Sequence, residues 1–417
     1  MRRNVSILRA AHTLVVAYFF VGIAAAVGLA STTSTTDPSS HTFTQIDFPG
    51  ALCTYLEGIN NSGDIAGRRW GPLEPTRDYS GFVYKAGSFL PVDVPGAFST
   101  GARGINSFGD VVGFYQATSG VVNGFSYSGG LFTPLTFPGA SVTFAEGIND
   151  FGKIVGFRNN DGFLYAGGAF TALPRPSGAF WSQPSDINNS DAIVGSFGDL
   201  AGTHGFHYQD GVFTTLDAPN SSTSNGKDTS AMGINNSGVI VGGYYQSDWM
   251  HHGFVYEDGI FYTFDIPGAS YTIATGVNDH GDIVGYYLDA SDDCHGFLVN
   301  TIPILIDIKP DSSSNSINLR SNGMVPVAII SSPNFDAREV NAATVTVAGA
   351  SVGLQGKDKK SRCGLQEVNG DRLVDLVCHI PSGELMIDPG DSVVVLRGQT
   401  FGGQLIRGED LISTGPK

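Results

Sequence analysis

Six residues occupy equivalent positions in successive repeats of this sequence, and some of them have side chains that catalyse reactions. Each directly precedes a Gly-Ile-Asn or closely similar turn; they are Glu57, Arg103, Glu146, Ser185, Met232 and Thr275. Glu57 and Glu146, with Arg103 between them, have the composition of an acid and base pair for glycosidic bond cleavage. The alternative is a weak ion pair among polar residues of a channel or rim. We favour this alternative, and with it a binding protein over an enzyme.

Aromatic residues in the irregular stretches between repeats form a second candidate site. They are Trp70, Trp181, Trp249, Tyr244 and Tyr245. Exposed aromatics on one rim would stack on sugar rings, which is a common basis of carbohydrate binding. The competing interpretation is that these side chains only cover the edges of sheets. Because binding residues concentrate in loops, the sequence favours neither interpretation over the other.

Oxygen-bearing side chains recur in a loop near the C-terminus. Glu367, Asn369, Asp371 and Asp375 stand at its first, third, fifth and ninth positions, which is the pattern of a calcium loop. Glu367 replaces the usual first aspartate, and Arg372 replaces the usual turn glycine. A hydrogen-bonded Asx turn is therefore the alternative that we favour. Apart from this calcium ion, the sequence predicts no cofactor.

Three histidines, His204, His252 and His295, also stand at equivalent positions of successive repeats. Such positions point in different directions around a ring, so we expect no shared metal and predict hydrogen bonds to neighbouring turns. The sequence contains no Gly-x-Ser-x-Gly motif, no His-Glu-x-x-His motif and no phosphate-binding loop.

The repeat itself consists of strand and turn signals. Gly-Phe pairs begin at positions 81, 124, 162, 205, 253 and 296, a period of about 43 residues, which is the length of a four-stranded propeller blade. The last repeat lacks its final strand, whereas residues 43–50 resemble such a strand with no repeat before it. The sequence therefore predicts an all-β fold in which residues 42–300 form a six-bladed β-propeller closed by an N-terminal latch strand.

Residues 301–417 lack the repeat and contain strand-like runs separated by Ser, Asn and Gly turns, which predicts a small β-sandwich. Four cysteines allow three connectivities, and their positions favour two bridges. Cys53 and Cys294 lie at the two ends of the repeat array, where a disulfide would lock a ring. Cys363 and Cys378 flank the calcium-like loop.

The N-terminus predicts export. Residues 1–30 carry three arginines, an apolar run and small residues, as in a secretory signal peptide; an uncleaved membrane anchor is the alternative. Residues 31–41 read as a linker. A net charge of -16 argues against nucleic acid as a partner. We expect an extracellular or cell-surface monomer with no membrane span after signal cleavage.

The repeats resemble the HAF family of extracellular repeat proteins. The motif appears as His204-Gly205-Phe206, His252-Gly253-Phe254 and His295-Gly296-Phe297, each with Gly in place of Ala, and it accompanies the Asn-x-x-Gly-x-Ile-Val-Gly turn. In the other three repeats, the histidine position holds Ser80, Asn123 and Asp161. The resemblance implies a bacterial, secreted protein and brings no activity with it. The Ile306-Asp307-Ile308-Lys309-Pro310 segment resembles a C-terminal module of many secreted bacterial proteins.

Three functions are compatible with these features. The one we favour is a secreted, non-catalytic protein that presents a propeller rim or channel to a glycan or a cell-surface protein. The second is a polysaccharide-cleaving enzyme, a glycosidase or lyase, that uses the channel carboxylates. The third is a structural protein of the cell envelope.

Overall fold

The fold is all-β, as predicted, in the residues that the structure describes. This computed structural model describes residues 43–71, 79–222, 226–246, 250–257, 259–310, 312, 314–318, 320–356 and 359–414. The predicted signal peptide and linker lie outside these ranges. Within them, the two helices are single 3₁₀ turns, Ala337–Glu339 and Ser382–Glu384. None of the described helices has the length and apolar character needed to cross a membrane.

The repeat region forms successive antiparallel sheets, which we call repeat sheets 1 to 6. In sheets 1 to 5, four strands follow one another in chain order. Sheet 1 contains Cys53–Ile59, Ile65–Trp70, Tyr79–Lys85 and Ser88–Pro91. Sheet 2 contains Ser99–Ile105, Val111–Gln116, Val122–Ser128 and Leu131–Leu135. Sheet 3 contains Thr143–Ile148, Ile154–Arg158, Asp161–Ala166 and Ala169–Ala172. Sheet 4 contains Trp181–Ile187, Ile193–Asp199, Gly202–Gln209 and Val212–Leu216. Sheet 5 contains Lys227–Ile234, Ile240–Tyr245, His251–Glu257 and Ile260–Phe264.

Repeat sheet 6 takes its fourth strand from the other end of the repeat region. Its first three strands are Tyr271–Val277, Ile283–Leu288 and Cys294–Val299. Thr44–Ile46 pairs antiparallel with the third of these, with Ile46 opposite Gly296. The predicted disulfide between Cys53 and Cys294 is present and joins repeat sheet 1 to repeat sheet 6.

The Gly-Phe repeat reflects close packing inside each sheet. The six phenylalanines of these motifs are almost completely buried: Phe82, Phe125, Phe163, Phe206, Phe254 and Phe297. The ring of Phe82 covers Gly67 on the neighbouring strand, where a Cβ atom would lie 2.7 Å from Cζ. Glycine recurs in the Ile-Val-Gly strand because only glycine leaves room for this ring. Each buried phenylalanine contributes about 1.5 to 3 kcal/mol to stability.

The asparagine of each Gly-Ile-Asn motif joins its own turn to the next sheet. Asn60 Oδ1 accepts the N–H groups of Ser62 and Asp64, both at 3.0 Å, which forms an Asx turn. Its Nδ2 donates to the carbonyl of the equivalent asparagine in sheet 2, and the same bond recurs from sheet to sheet at 2.9 to 3.4 Å. The donors and acceptors run from Asn60 to Asn106, Asn149, Asn188, Asn235, Asn278 and back to Asn60.

The C-terminal region contains two larger sheets that share one apolar core. The five-stranded sheet has the order Thr301–Pro303, Leu405–Leu411, Val393–Gln399, Thr346–Val347 and Ala350–Ser351. The four-stranded sheet has the order Leu305–Ile308, Met324–Ile330, Asp375–Pro381 and Cys363–Gln366. Two short pairs complete the region, namely Ser316–Ile317 with Ser413–Thr414 and Leu354–Gln355 with Lys360–Ser361. Val327 of one sheet and Leu396 of the other are fully buried in the shared core, as in a β-sandwich.

The C-terminal region contacts repeat sheets 5 and 6. Arg397 and Arg407 both form ion pairs with the buried carboxylate of Glu257 in sheet 5. Thr301 Oγ1 donates to the Gly281 carbonyl in a turn of sheet 6, at 2.6 Å. These contacts anchor the region at the side of the repeat sheets that carries the Asn turns.

Candidate functional site

The six residues that precede the Gly-Ile-Asn-like turns line a single cavity between the repeat sheets. In every first strand, the pairing register shifts at this residue, as between Leu56 and Gly58, so Glu57 is the extra residue of a β-bulge. Bulges commonly redirect a side chain, and here they turn all six toward the cavity. We call this space, lined by Glu57, Arg103, Glu146, Ser185, Met232 and Thr275, the axial cavity.

The two candidate catalytic carboxylates meet in the axial cavity and share one arginine. Arg103 Nη1 lies 3.0 Å from Glu57 Oε1, and Arg103 Nε lies 3.4 Å from Glu146 Oε2. The side chains of Glu57 and Glu146 are only 5% and 13% exposed. Burial raises the pKa of Glu146, against the attraction of Arg103, which lowers it. Arg103 therefore forms ion pairs with both carboxylates, and these are buried, unlike the weak ion pair of exposed rim or channel residues that the sequence analysis considered.

The size of the axial cavity argues against catalysis on a sugar. Its volume is about 40 Å³. That is room for roughly one to three water molecules, whereas sites for small organic ligands measure about 300 Å³ or more. A glycosidic bond therefore cannot be placed between Glu57 and Glu146 in this structure.

A second arginine, which the sequence analysis did not single out, completes the cluster. Arg68 Nε donates to Glu57 Oε1 at 2.8 Å, and its guanidinium lies 4.2 Å from the ring centre of Tyr55 and 4.7 Å from that of Tyr79. Burial opposes the charge, but Glu57 and the two tyrosines hold the pKa of Arg68 above its usual value. Phenylalanine occupies the position equivalent to Arg68 in sheets 2 and 3. The arginine therefore departs from the repeat, and this departure could have identified it from the sequence.

Asp186 stands where the other repeats have glycine, and it contacts both the axial cavity and the space on its asparagine side. The first strands approach closely there, because a Cβ on Gly104 would lie 2.8 Å from the Glu146 carbonyl. Asp186 accepts the N–H of Ile187 at 2.8 Å and that of Ile234, in the next sheet, at 3.0 Å. Burial raises the pKa of Asp186 to about 7, although both hydrogen bonds lower it.

The predicted aromatic site is only partly exposed. Trp70 is 44% exposed, Trp181 is half-buried, and Trp249 lies outside the described residues. Tyr245 is half-buried and packs edge-on against His251. Tyr244 is only 3% exposed and its hydroxyl lies 3.0 Å from Thr263 Oγ1, so its proposed role as an exposed sugar platform is wrong.

Trp70 and Trp181 lie on the same side of their sheets, where first strands begin and second strands end. We call this the tryptophan side, and the side with the Gly-Ile-Asn turns the asparagine side. Further large apolar residues are exposed at the ends of strands on the tryptophan side, namely Leu52, Val121, Phe180, Leu200 and Met250. They belong to several sheets, so apolar side chains are exposed along more than one part of this side.

The three motif histidines do not form one site. Each lies beside an aspartate at the end of its sheet's fourth strand, at 2.8 to 2.9 Å. The pairs are His204 with Asp217, His252 with Asp265, and His295 with Asp47. In sheet 3 an aspartate replaces the histidine, and Asp161 pairs at 2.5 Å with Arg175, one residue beyond the position of the aspartate in the other pairs. These matched pairs attach the fourth strand to the third, which the sequence could have revealed as paired substitutions.

The side-chain oxygens of the calcium-like loop accept backbone N–H groups, from the loop itself and from Ser331. Asp375 is fully buried and accepts the N–H groups of Ser331 at 2.8 Å and Val368 at 3.0 Å. Asp371 Oδ1 accepts the Leu373 N–H at 2.7 Å, and Asn369 Oδ1 accepts the Asp371 N–H at 3.0 Å.

Glu367 Oε1 accepts the Gly370 N–H in the same loop. The described residues contain no cluster of three or more acidic, His or Cys side chains that could hold a metal. The predicted disulfide between Cys363 and Cys378 joins the strands that flank the loop. The hydrogen bonds of these side chains are those of an Asx turn.

Comparison with known proteins identifies no family. No family model matches the sequence, and no curated protein matches it. Among solved structures, AofleA from Arthrobotrys oligospora is similar with a TM-score of 0.43 and 14% identity over 62% of this chain and 87% of that one. A mutant of the Aleuria aurantia lectin AAL in complex with Fucalpha1-6GlcNAc has a TM-score of 0.38 and 8% identity over 63% and 92%. A chain of the mitotic checkpoint complex has a TM-score of 0.35 and 12% identity over 68% and 99%.

Proposed function

We propose that this protein is a secreted, non-catalytic glycan-binding protein built on a closed six-bladed β-propeller of HAF-type repeats. In this proposal, repeat sheets 1 to 6 are the blades and Thr44–Ile46 is the latch strand. Two features support closure: the strand pairing of Ile46 with Gly296, and the series of asparagine hydrogen bonds that returns from Asn278 to Asn60. The C-terminal region is a β-sandwich module fixed to blades 5 and 6.

The observation that carries the non-catalytic part of the proposal is the state of the axial carboxylates. Arg103 bridges Glu57 and Glu146, and Arg68 holds Glu57 from a second direction. A general acid or base must reach the bond that it cleaves, and both carboxylates face a cavity of about 40 Å³. The cluster acts as a buried support between blades, and ligands bind at the surface.

Exposed aromatic and apolar side chains support a binding surface. Trp70 combines an exposed ring with the neighbouring Arg69, whose guanidinium lies 5.0 Å from the ring centre of Phe48. Tryptophan rings provide a large contact area at a low cost in conformational entropy when a sugar stacks on them. Two disulfides and the signal-like N-terminus support an oxidising, extracellular location.

The test is to incubate the purified protein with a panel of soluble and insoluble polysaccharides and to measure both retention and release of reducing ends. We expect retention without product, and unchanged reducing ends in the Glu57→Gln and Glu146→Gln variants. Product that disappears in either variant would establish the polysaccharide-cleaving enzyme in place of the binding protein. If the protein is not retained and no product forms, the structural envelope protein is favoured.

A further inference from the structure

Two phenylalanines occupy equivalent turn positions in neighbouring sheets on the asparagine side. Phe108 is 76% exposed and Phe151 is 71% exposed. The same position in the other four sheets holds Ser62, Ser190, Ser237 and His280. An exposed phenylalanine adds no core packing to a turn, and two side by side indicate a contact with another molecule.

The two turns are fixed to each other and share one backbone conformation. The N–H of Ser107 donates to Asp150 Oδ1 at 2.8 Å, and the Ser107 hydroxyl donates to Asp150 Oδ2 at 3.1 Å. Phe108 N–H donates to Asn106 Oδ1, and Phe151 N–H donates to Asn149 Oδ1, both at 3.1 Å. Both rings therefore project from matching Asx turns, and little backbone ordering is needed when a ligand binds.

The space beside these turns is polar, and the described residues that line it include no lysine or arginine. A cavity of about 70 Å³ on the asparagine side is lined by the Gly-Ile-Asn residues and the residues that follow them, including Asp150, Asn189 and Asp279. Asn189 Nδ2 donates to Asp150 Oδ2 at 2.8 Å, so an amide and a carboxylate lie side by side there. Such a lining offers donors and acceptors to hydroxyl groups, and its carboxylates repel anions.

We propose that Phe108 and Phe151, together with Asp150 and Asn189, form a binding site for the end of a neutral saccharide. The inference rests on the proposed glycan-binding function and places a binding site on the asparagine side, apart from Trp70. One or both phenylalanine rings stack on the apolar face of the sugar, and its hydroxyl groups hydrogen-bond to Asp150 and Asn189 at the surface of the turns, because the cavity of about 70 Å³ is too small to admit the sugar itself. The C-terminal region contacts sheets 5 and 6, so it leaves these turns of sheets 2 and 3 exposed.

The experiment measures binding of the full protein to immobilised neutral oligosaccharides and to carboxylated oligosaccharides of the same length. We expect retention on neutral members only, with Phe108→Ala and Phe151→Ala each binding about tenfold more weakly, the loss expected for one stacked ring. Phe401→Ala, which removes an exposed ring from the C-terminal region, and Ser190→Ala, at the equivalent turn position of sheet 4, are the matched controls and should bind as the wild type does.

Two outcomes overturn the inference, and they differ in what they leave standing. If Trp70→Ala abolishes retention while Phe108→Ala and Phe151→Ala do not weaken it, glycan binding is upheld and the asparagine-side site is refuted. If the wild-type protein is retained on no neutral or carboxylated oligosaccharide, the site and the proposed function are both refuted. The thermal midpoint of each variant, which should match the wild type, separates lost binding from lost folding.

Discussion

Asp186 should make the stability of this protein depend on pH near neutrality. Burial raises the pKa of its carboxyl group from 3.8 to about 7 in the folded chain. The folded state therefore keeps a proton that the unfolded state has lost, so the stabilisation present below pH 4 disappears as pH rises toward 7. The difference of about three pKa units between the folded and unfolded states corresponds to about 4 kcal/mol in the free energy of unfolding. Between pH 5 and pH 8, the expected loss is about 3 kcal/mol.

Asp186→Asn removes the ionisable group and keeps its shape. The amide oxygen can accept only one of the two N–H bonds well, which costs about 1 to 2 kcal/mol. At pH 8 the variant should therefore be more stable than the wild type by about 2 kcal/mol, and the difference should vanish or reverse at pH 5. Glu146, whose pKa burial also raises, lines the same cavity and is present in both proteins, so its own titration largely cancels in the comparison.

The assay is urea unfolding at half-unit pH intervals from 5 to 8, with the disulfides intact. Asp210→Asn is the control, because Asp210 is an exposed turn residue of the same repeat sheet. The free energy of unfolding of Asp210→Asn should change with pH as that of the wild type does. Equal pH dependence in the wild type and in Asp186→Asn would refute the reasoning, since the buried proton would then not reside on Asp186.

Four further predictions concern the supports of the fold. Arg103→Met should lower the free energy of unfolding by about 3 kcal/mol at pH 7, because it leaves a buried carboxylate unpaired; a change below about 0.5 kcal/mol in urea unfolding, roughly the noise of such data, would contradict this. Cys294→Ser opens a loop that spans 241 positions. Loop-closure entropy predicts that the free energy of unfolding falls by about 5 kcal/mol. A reductant should abolish the difference between the two proteins, because it lowers the thermal midpoint of the wild type to that of the variant. Asn149→Ala removes two hydrogen bonds within its turn and one to Asn188. We expect the free energy of unfolding in urea to fall by about 3 kcal/mol. An unchanged midpoint would show that the asparagine hydrogen bonds do not stabilise the fold. Millimolar calcium should not change the thermal midpoint, whereas a rise that Asp371→Ala removes would show that the loop binds the ion.

The features that the sequence revealed are those carried by repetition. The period of the Gly-Phe motif located the strands, and the surplus strand at residues 43–50 located the partner of Cys294–Val299. Cys53 and Cys294 were paired for the same reason, since both flank that junction. Repetition averages over six copies, so one irregular copy does not hide the pattern.

The features that the sequence did not reveal depend on which face of a strand a residue occupies. Tyr244 and Tyr245 are adjacent, and consecutive side chains point to opposite faces, so one is buried and the other is half-exposed. Composition cannot distinguish them. The bulge at Glu57 shifts that alternation by one residue, and the alternation of polar and apolar residues alone does not show where the shift occurs.

Asp186 illustrates a different limit. It replaces a glycine at a point where the first strands of neighbouring sheets nearly touch, and a charged residue there suggests an exposed position. Only the structure shows that its carboxylate accepts an N–H from each of two sheets.

The pairing of Thr44–Ile46 with Cys294–Val299 also constrains how the chain folds as it is synthesised. This early strand leaves the ribosome 250 positions before its partner, since Ile46 lies opposite Gly296. At about 5 to 20 residues per second, that partner follows only after roughly 12 to 50 seconds. During this delay the early sheets have unpaired edges, which readily pair with other chains. A chain that is held unfolded until it is complete would not form early sheets with unpaired edges. Chaperone binding and export before folding would therefore suit this topology.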